Sequence, residues 1–445
     1  MERLMTEGSI RRKIIGFAIP VFVGYLFQQL YNTADSLIVG NYLGENALAA
    51  VSANGAFIFL FIGFFMGFAT GAGVIIARHI GAKDREQTCL AVHTAVAMGL
   101  AFSVVVSVGG VAISPTMLRW MGTPDEVFVE SYKYLRVYFA GATGLVMYNM
   151  FVGILQAAGD SRHPLVYLVI SSLVNVVLDL LFVAVLGMGV EGAALATILS
   201  QFLSMFLAGA RLMRADSSIR LSLRSVGVDR ENLKHIVRNG LPTALQASVI
   251  DLSNLLIQSY INSFGNLAMA GIGASTKVEG FAFLPVTAFS MAVTTFVSQN
   301  MGARRYDRVR QGIRFSLGAA VATIELIGAV LFLLAPQLVG LFNRNPEVVA
   351  FGVGRTRACA LFFCLVGYSH VASAVMRGLG KPMTPMVIML TCWCAVRIAV
   401  LFTLGQVVHD IRLAYWIYPF TWTLSSVAYG ILLAKIKVDR LAGAA

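Results

Sequence analysis

One acidic residue in the first half of the chain lies inside a long apolar run. Asp35 occurs in the segment QQLYNTADSLIVG, and Gln28, Tyr31 and Asn32 precede it at helical spacing. Residues three or four apart share a helix face, so these four form a polar stripe. Lipid cannot satisfy such a stripe, and we therefore expect it to face the interior of a helix bundle.

A second acidic residue of the same kind follows in the segment SSLVNVVLDLLF. Asp179 lies four residues after Asn175, so the carboxylate and the amide share a face, and Thr197 lies in the next apolar run. A desolvated carboxylate can hold a proton, and carboxylate, amide and hydroxyl oxygens also suit a small hard cation such as sodium. The alternative is a buried hydrogen-bond network that only fixes helix packing.

The second half of the chain carries a different set of polar residues. Asp251, Asn254 and Gln258 share one helix face. Further ionisable residues lie inside later apolar runs: Lys277, Glu279, Glu325, His370 and Arg397. They could form structural ion pairs, such as Asp251 with Lys277 and Glu325 with Arg397. Alternatively, they could form a basic or zwitterionic patch that lines a substrate cavity.

The composition places these residues in a membrane protein. Of the 445 residues, 58% are hydrophobic and only 13% are charged. A soluble domain carries about 25% charged residues, and no soluble core could bury this much apolar surface. This excludes a soluble enzyme, a disordered chain and a nucleic-acid binder. The net charge of +12 is typical of cytoplasmic loops that face anionic lipid.

Twelve apolar runs are long enough to cross a bilayer as helices, which takes about 20 residues each. We predict spans at 14–39, 47–77, 89–113, 128–156, 163–186, 190–212, 236–262, 267–298, 312–334, 348–376, 383–405 and 412–434. An even number places both termini on one side. Of the Lys and Arg residues, 25 fall on that side and seven, Arg355 among them, on the other. This bias predicts that both termini are cytoplasmic.

The two halves of the chain repeat. Residues 80–83 (IGAK) match residues 301–304 (MGAR) at an offset of 221, and Pro20 matches Pro242 with a shift of one. Six spans in each half give the halves the same orientation, with a pseudo-two-fold axis along the membrane normal.

The longest polar internal loop separates these halves. We predict an N-terminal lobe at 1–212, a cytoplasmic linker at 213–235 and a C-terminal lobe at 236–445.

Several motifs resemble those of the multidrug and toxic compound extrusion (MATE) transporters over nearly the whole chain. They are Pro20 with YNTADSLIVG at 31–40, GDSRHP at 159–164, NVVLD at 175–179, GMGVEGAALAT at 187–197 and SQNMGA at 298–303. Each motif is modest, but their order, the twelve spans and the repeat make the set specific.

The resemblance implies an all-α integral membrane fold, with twelve transmembrane helices in two pseudo-symmetric six-helix lobes around a V-shaped central cleft. It also implies a cation site, which could hold sodium, formed by Asp35, Asn175, Asp179 and Thr197. Other family members use acids on helices 7 and 10. Here Asp251 lies near the first of these positions, but the titratable residue deep in span 10 is His370.

We therefore expect an antiporter, not an enzyme, that exports organic cations or other amphipathic drugs by alternating access. Protons or sodium would drive it, without a cofactor. The alternative is a flippase or exporter of a lipid-linked or anionic amphipathic substrate. Candidates for the substrate cavity are Gln28, Tyr31, Asn32, Asp251, Asn254, Gln258, Lys277, His370 and Arg397. We expect a multi-pass monomer in the plasma (inner) membrane, whose partners are small amphipathic substrates and the lipid bilayer, without nucleic acid.

Overall fold

The computed structural model describes residues 4–120, 122–215 and 218–436, which are helical apart from short connections. The ends of the two predicted lobes, at 1–3 and 437–445, and residues 216–217 of the predicted linker lie outside the described residues.

The helices of the first half follow the predicted apolar runs closely. They are α1 (Ile10–Leu43), α2 (Glu45–Gly81), α3 (Arg85–Trp120), α4 (Asp125–Ala140), α5 (Ala142–Ala157), α6 (Arg162–Asp179) and α7 (Gly189–Met213). A π-helical turn, Leu180–Val185, continues α6, and a 3₁₀ turn, Leu223–Ser225, lies in the predicted linker.

The helices of the second half form a similar series. They are α8 (Arg230–Asn262), α9 (Asn266–Ala282), α10 (Leu284–Gly302), α11 (Tyr306–Gly340), α12 (Pro346–Ala360), α13 (Phe363–Gly378), α14 (Met383–Met389), α15 (Val396–Val407) and α16 (Arg412–Lys435). A second π-helical turn, Leu390–Ala395, joins α14 to α15.

Nine helical stretches in the described residues are long and apolar enough to cross a membrane. Two further pairs reach that length when each is counted as one span, α4 with α5, bent by 49°, and α12 with α13, bent by 58°, which gives up to eleven. The predicted span at 236–262 lies within α8, which carries several charged and amide residues and is not among the eleven. The all-α membrane fold is thus confirmed, and the count of twelve stays a prediction.

The chain packs into two compact units. Unit 1 is formed mainly by Val23–Ala244, and unit 2 by Met5–Phe22 together with the chain from Leu245 onwards. The chain therefore leaves one unit for the other inside α1 and inside α8, two residues after Pro20 and two residues after Pro242. The predicted lobe boundaries at 212 and 235 remain a prediction.

Unit 1 is built around a core in which α2, α3 and α5 meet, with Ile76, Ala95 and Ile154 fully buried. The predicted linker packs onto this unit. The backbone N–H of Ser222 donates to His93 Nε2 at 3.1 Å, and that of Asp229 donates to Thr94 Oγ1 at 3.0 Å. These bonds fix the start of α8 relative to α3.

Glycines bring α2 and α8 into direct backbone contact within unit 1. A Cβ atom on Gly67 would lie 2.4 Å from the Cα of Ala244, and one on Gly71 would lie 2.5 Å from the Cα of Gly240. Real Cβ atoms do not approach other atoms this closely, so α2 and α8 pack at a distance that only glycine permits.

We expect Gly71→Ala to destabilise the protein by about 1–3 kcal/mol, because the added methyl group forces α2 and α8 apart. Thermal unfolding of the purified protein in detergent measures this. The control is Gly55→Ala on the same helix, where a Cβ meets nothing within 4 Å. Alanine should leave stability unchanged or slightly higher there, since it favours a helix. Equal melting temperatures for the two variants would contradict the close approach.

In unit 2, the SQNMGA motif holds the N-terminal segment. Gln299 Oε1 accepts a hydrogen bond from the backbone N–H of Met5 at 2.7 Å, and Asn300 Nδ2 donates to the Met5 carbonyl at 3.3 Å. Arg308 donates to the carbonyls of Gly8 at 2.8 Å and Met5 at 3.1 Å. The motif therefore anchors the chain just before α1.

Candidate functional site

The two acidic residues of the first half come together in unit 1. Asp35 on α1 is half-buried, Asp179 at the end of α6 is fully buried, and their carboxyl groups lie within hydrogen-bonding range of each other. Within the described ranges, one oxygen of Asp35 and both oxygens of Asp179 have no hydrogen-bond partner. Two carboxylates at this range repel each other strongly, so either one proton is shared between them or a cation lies between them.

The predicted amide, Asn175, lies on α6 together with Asp179, and the predicted hydroxyl, Thr197, lies on the next helix, α7. Asn175 is buried one turn before Asp179, and neither polar atom of its side chain has a partner in the described part of the chain. Thr197, on α7, is half-buried and donates its hydroxyl hydrogen to the carbonyl of Ala193 at 3.1 Å. The Thr197 hydroxyl oxygen keeps lone pairs for a ligand.

Tyrosines and glutamines surround the acid pair. The Tyr31 side chain lies near those of Gln28 and Gln201 and near both acids. Tyr134, on α4, lies near the same two acids. Sequence reasoning missed Gln201 and Tyr134. The signal for Gln201 was its spacing, four residues after Thr197 on the same helix.

Asn32 differs from the rest of the α1 stripe. Gln28, Tyr31 and Asp35 are half-buried, whereas Asn32 is exposed. It lies at the edge of the stripe, and its place in a substrate cavity stays a prediction.

Unit 2 holds a buried ion pair that the sequence did not reveal. Arg355 Nη2 on α12 donates to Glu279 Oε2 on α9 at 2.9 Å, and both side chains are 6% exposed. Arg355 Nη1 also donates to Thr276 Oγ1 at 2.7 Å, and Ser275 donates to the other Glu279 oxygen at 3.2 Å. Arg355, counted from the sequence with the basic residues of the outer side, thus has a buried acidic partner within unit 2, and its side of the membrane stays a prediction.

The two ion pairs suggested from the sequence are not formed among the described residues. Glu325 accepts from the backbone N–H of Cys364 at 2.9 Å. Lys277 is exposed, with its Nζ 5.8 Å from the centroid of the Phe342 ring. Gln258 donates to Asn262 Oδ1 at 2.9 Å. Helix spacing shows which residues share a helix face, but it does not show which helices pack against each other.

Arg397 is the most deeply buried of the predicted C-terminal candidates, at 1% exposure. Its Nη2 donates to Thr421 Oγ1 at 3.0 Å, and its Nη1 donates to Asn254 Oδ1 at 3.4 Å. The guanidinium carbon lies 4.5 Å from the Tyr418 ring centroid and 5.6 Å from that of Trp393.

Two further titratable candidates lie near this arginine. His370 meets the Trp393 ring edge-on, with the two ring centroids 5.3 Å apart, and Arg397 packs against the same ring. Asp251, one turn before Asn254 on α8, is half-buried and forms no ion pair within the described residues. The structure therefore gathers Asn254, His370 and Arg397 around Trp393.

The family described as MatE matches the chain twice, over residues 20–181 and again over residues 242–403. The chain belongs to the MATE family. The two matches begin at Pro20 and Pro242, so the internal repeat of the sequence corresponds to two copies of the family's own unit. MATE proteins are membrane transporters, and the chain is accordingly a multi-pass membrane transporter.

Curated relatives and a solved structure match along almost the full chain. The probable multidrug resistance protein YoeA of Bacillus subtilis is 27% identical and covers 98% of this chain and 97% of its own length. The FAD transporter of Shewanella oneidensis is 24% identical, covering 97% and 96%. An outward-facing MATE family multidrug resistance transporter of the MOP superfamily has a TM-score of 0.92 at 25% identity, covering 98% of each chain.

Proposed function

We propose that this transporter exports amphipathic, drug-like compounds, organic cations among them, in exchange for a proton or a sodium ion bound between Asp35 and Asp179. The observation that carries the proposal is the approach of these two carboxyl groups, three of whose oxygens have no hydrogen-bond partner among the described residues. Multidrug resistance relatives such as YoeA support export as the direction of transport.

Coupling requires the ion to bind one conformation of the transporter better than the other. With a proton or cation in place, Asp35 on α1 and Asp179 on α6 can remain in contact. Without it, two negative charges at hydrogen-bonding range repel each other and favour a conformation in which they lie farther apart. Binding and release of the ion thus shift the equilibrium between two states of unit 1, and substrate binding selects between the same states.

The same residues suit either ion. A proton would be shared by the two carboxyl groups. Sodium would be held by oxygens of Asp35, Asp179, Asn175 and Thr197, which are hard ligands of the kind that such ions prefer. The basic residues of the predicted inner loops support a plasma-membrane orientation with both termini in the cytoplasm. We propose the monomer as the transporting form.

The test uses purified protein in sealed vesicles with a fluorescent organic cation. Its movement is followed under a pH gradient without sodium, and separately under a sodium gradient at fixed pH. We expect one gradient to drive accumulation, and an ionophore that collapses that gradient to stop it. Movement that ignores both gradients, in protein shown to be folded, would contradict a cation-coupled mechanism.

A second candidate function is export of an anionic or lipid-linked amphipathic compound. Arg397, which is buried in unit 2 and has no acidic partner in the described part of the chain, favours it. The relative named as an FAD transporter also supports it, since FAD is an anionic compound with aromatic rings.

A further inference from the structure

We propose that Arg397, with Asn254 and Tyr418, binds an oxyanion, a carboxylate or a phosphate, carried by an amphipathic substrate. The inference rests on the proposed export function and adds a chemical class to its substrate. It concerns unit 2 alone, and it does not depend on which ion drives transport.

Arg397 differs from Arg355 in its charge balance. Glu279 is already occupied, since one of its oxygens accepts from Arg355 at 2.9 Å and the other from Ser275 at 3.2 Å. Among the described residues, the acceptors of Arg397 are the neutral oxygens of Thr421 and Asn254. A charge in the middle of a membrane span costs at least about 2.5–3.5 kcal/mol, so a side chain kept there needs a partner or a function.

The Arg397 guanidinium also has unused hydrogen-bonding capacity. Arginine presents five N–H donors in a planar fork that matches a carboxylate or a phosphate. In Arg397 the Nε atom is buried and has no acceptor in the described chain. The Nη1 bond to Asn254 is long, at 3.4 Å, and is therefore weak enough to be exchanged for a charged oxygen.

A ligand also needs access to the Arg397 guanidinium. Arg397 is buried, but Asn254, which accepts a hydrogen bond from it, is exposed, and Tyr418 beside it is half-buried. A rotation of the Asn254 side chain would open the guanidinium to a ligand. The same Asn254 amide group could then donate a hydrogen bond to the bound oxyanion.

The residues around Arg397 hold its guanidinium in place. Trp393 lies in the π-helical turn Leu390–Ala395, its indole N–H donates to Ser425 at 2.9 Å, and its carbonyl accepts from Ser253 at 3.1 Å. π-helical turns occur frequently at functional sites. With Trp393 fixed on one side and Tyr418 on the other, Arg397 needs little rearrangement to bind, which favours affinity.

The competing explanation is that Arg397 balances the charge of Asp251, one turn before Asn254. The two form no ion pair here, yet a side-chain rotation could bring them together. Any test must therefore separate an arginine that serves a ligand from one that serves Asp251.

The experiment measures equilibrium binding to purified protein in detergent, without any gradient. The probes are a fluorescent naphthalene monocarboxylate and its neutral carboxamide. We expect the wild type to prefer the carboxylate by about 10- to 100-fold, since charge-assisted hydrogen bonds are lost with the amide. Arg397→Gln should erase this preference, and Arg397→Lys should keep part of it, because the charge remains without the planar fork.

Arg344→Gln is the matched control, because it makes the same chemical change at an exposed position of the same unit. It should leave the preference unchanged, and Asp251→Asn should leave it unchanged or strengthen it. Loss of the preference in Asp251→Asn to the same extent as in Arg397→Gln would overturn the proposal in favour of charge balance.

Two further results would overturn the proposal. One is equal affinity of the wild type for the acid and the amide, which decides the matter even where Arg397→Gln does not fold. The other is inorganic phosphate that displaces the probe with an affinity equal to that of the aromatic acid, since the site would then bind a free anion rather than a group of a substrate. Because no gradient is present, failure here leaves coupled export standing, and failure of coupled export leaves this binding result standing.

Discussion

Replacing Asp35 by asparagine is expected to reduce gradient-driven export to the level of protein-free vesicles, while the protein remains folded. The substitution keeps the size and shape of the side chain but removes the carboxylate that faces Asp179. One carboxylate then remains where we propose that two share a proton or a cation, so the ion would no longer shift the equilibrium between two conformations. The measurement is accumulation of the fluorescent cation under the pH gradient and under the sodium gradient.

The control for Asp35 is the same chemical change at an exposed acid of unit 1. Asp125, at the start of α4, is exposed, and Asp125→Asn should transport as the wild type does. Asp179→Asn should reproduce the loss seen for Asp35→Asn, because either change breaks the acid pair. Full gradient-driven export by Asp35→Asn would remove this residue from the coupling mechanism.

Breaking the buried ion pair of unit 2 from one side is expected to lower the free energy of unfolding by about 3–5 kcal/mol. Glu279→Gln leaves the Arg355 guanidinium buried at 6% exposure without a counter-charge. The large effect arises from this uncompensated charge more than from the lost attraction. Denaturant titration of the purified protein in detergent, followed by tryptophan fluorescence, gives the change.

Removing both charges separates these two contributions. The double variant Glu279→Gln with Arg355→Met should recover much of the loss, since no buried charge remains. An exposed pair provides the comparison. Lys133 Nζ lies 3.1 Å from Glu130, with side chains 43% and 36% exposed, so Glu130→Gln should cost less than about 1 kcal/mol. A double variant as unstable as Glu279→Gln would show that the pair itself stabilises unit 2.

The membrane fold and the α1 stripe could be predicted because both depend on local sequence. Long apolar runs identify helices, and polar residues at helical spacing inside them identify an inward face. Gln28, Tyr31 and Asp35 follow this rule, being half-buried together. The approach of Asp35 to Asp179, 144 residues away, depends on the tertiary structure, which helix spacing does not show. It was expected only through the resemblance to the MATE family.

The ion pairs could not be predicted for the same reason. Glu279 and Arg355 are 76 residues apart, on helices α9 and α12, and nothing in either segment identifies the other. The bend of 58° between α12 and α13 is equally hidden, because the apolar run at 348–376 reads as one continuous span.

The two π-helical turns lie at different positions relative to the candidate site residues of their halves, and residue types alone do not show this difference. Such a turn amounts to about one residue inserted into an α-helix, and each residue advances the helix by about 100°. Asp179 precedes its turn, Leu180–Val185, whereas Arg397 follows its turn, Leu390–Ala395. Deleting one residue from the first turn would leave the aspartate facing its partner. Deleting one from the second would rotate Arg397 away from Thr421 and Asn254. The site in the C-terminal half therefore depends on the number of residues in its π-helical turn, whereas the site in the N-terminal half depends on the identity of its acidic side chain.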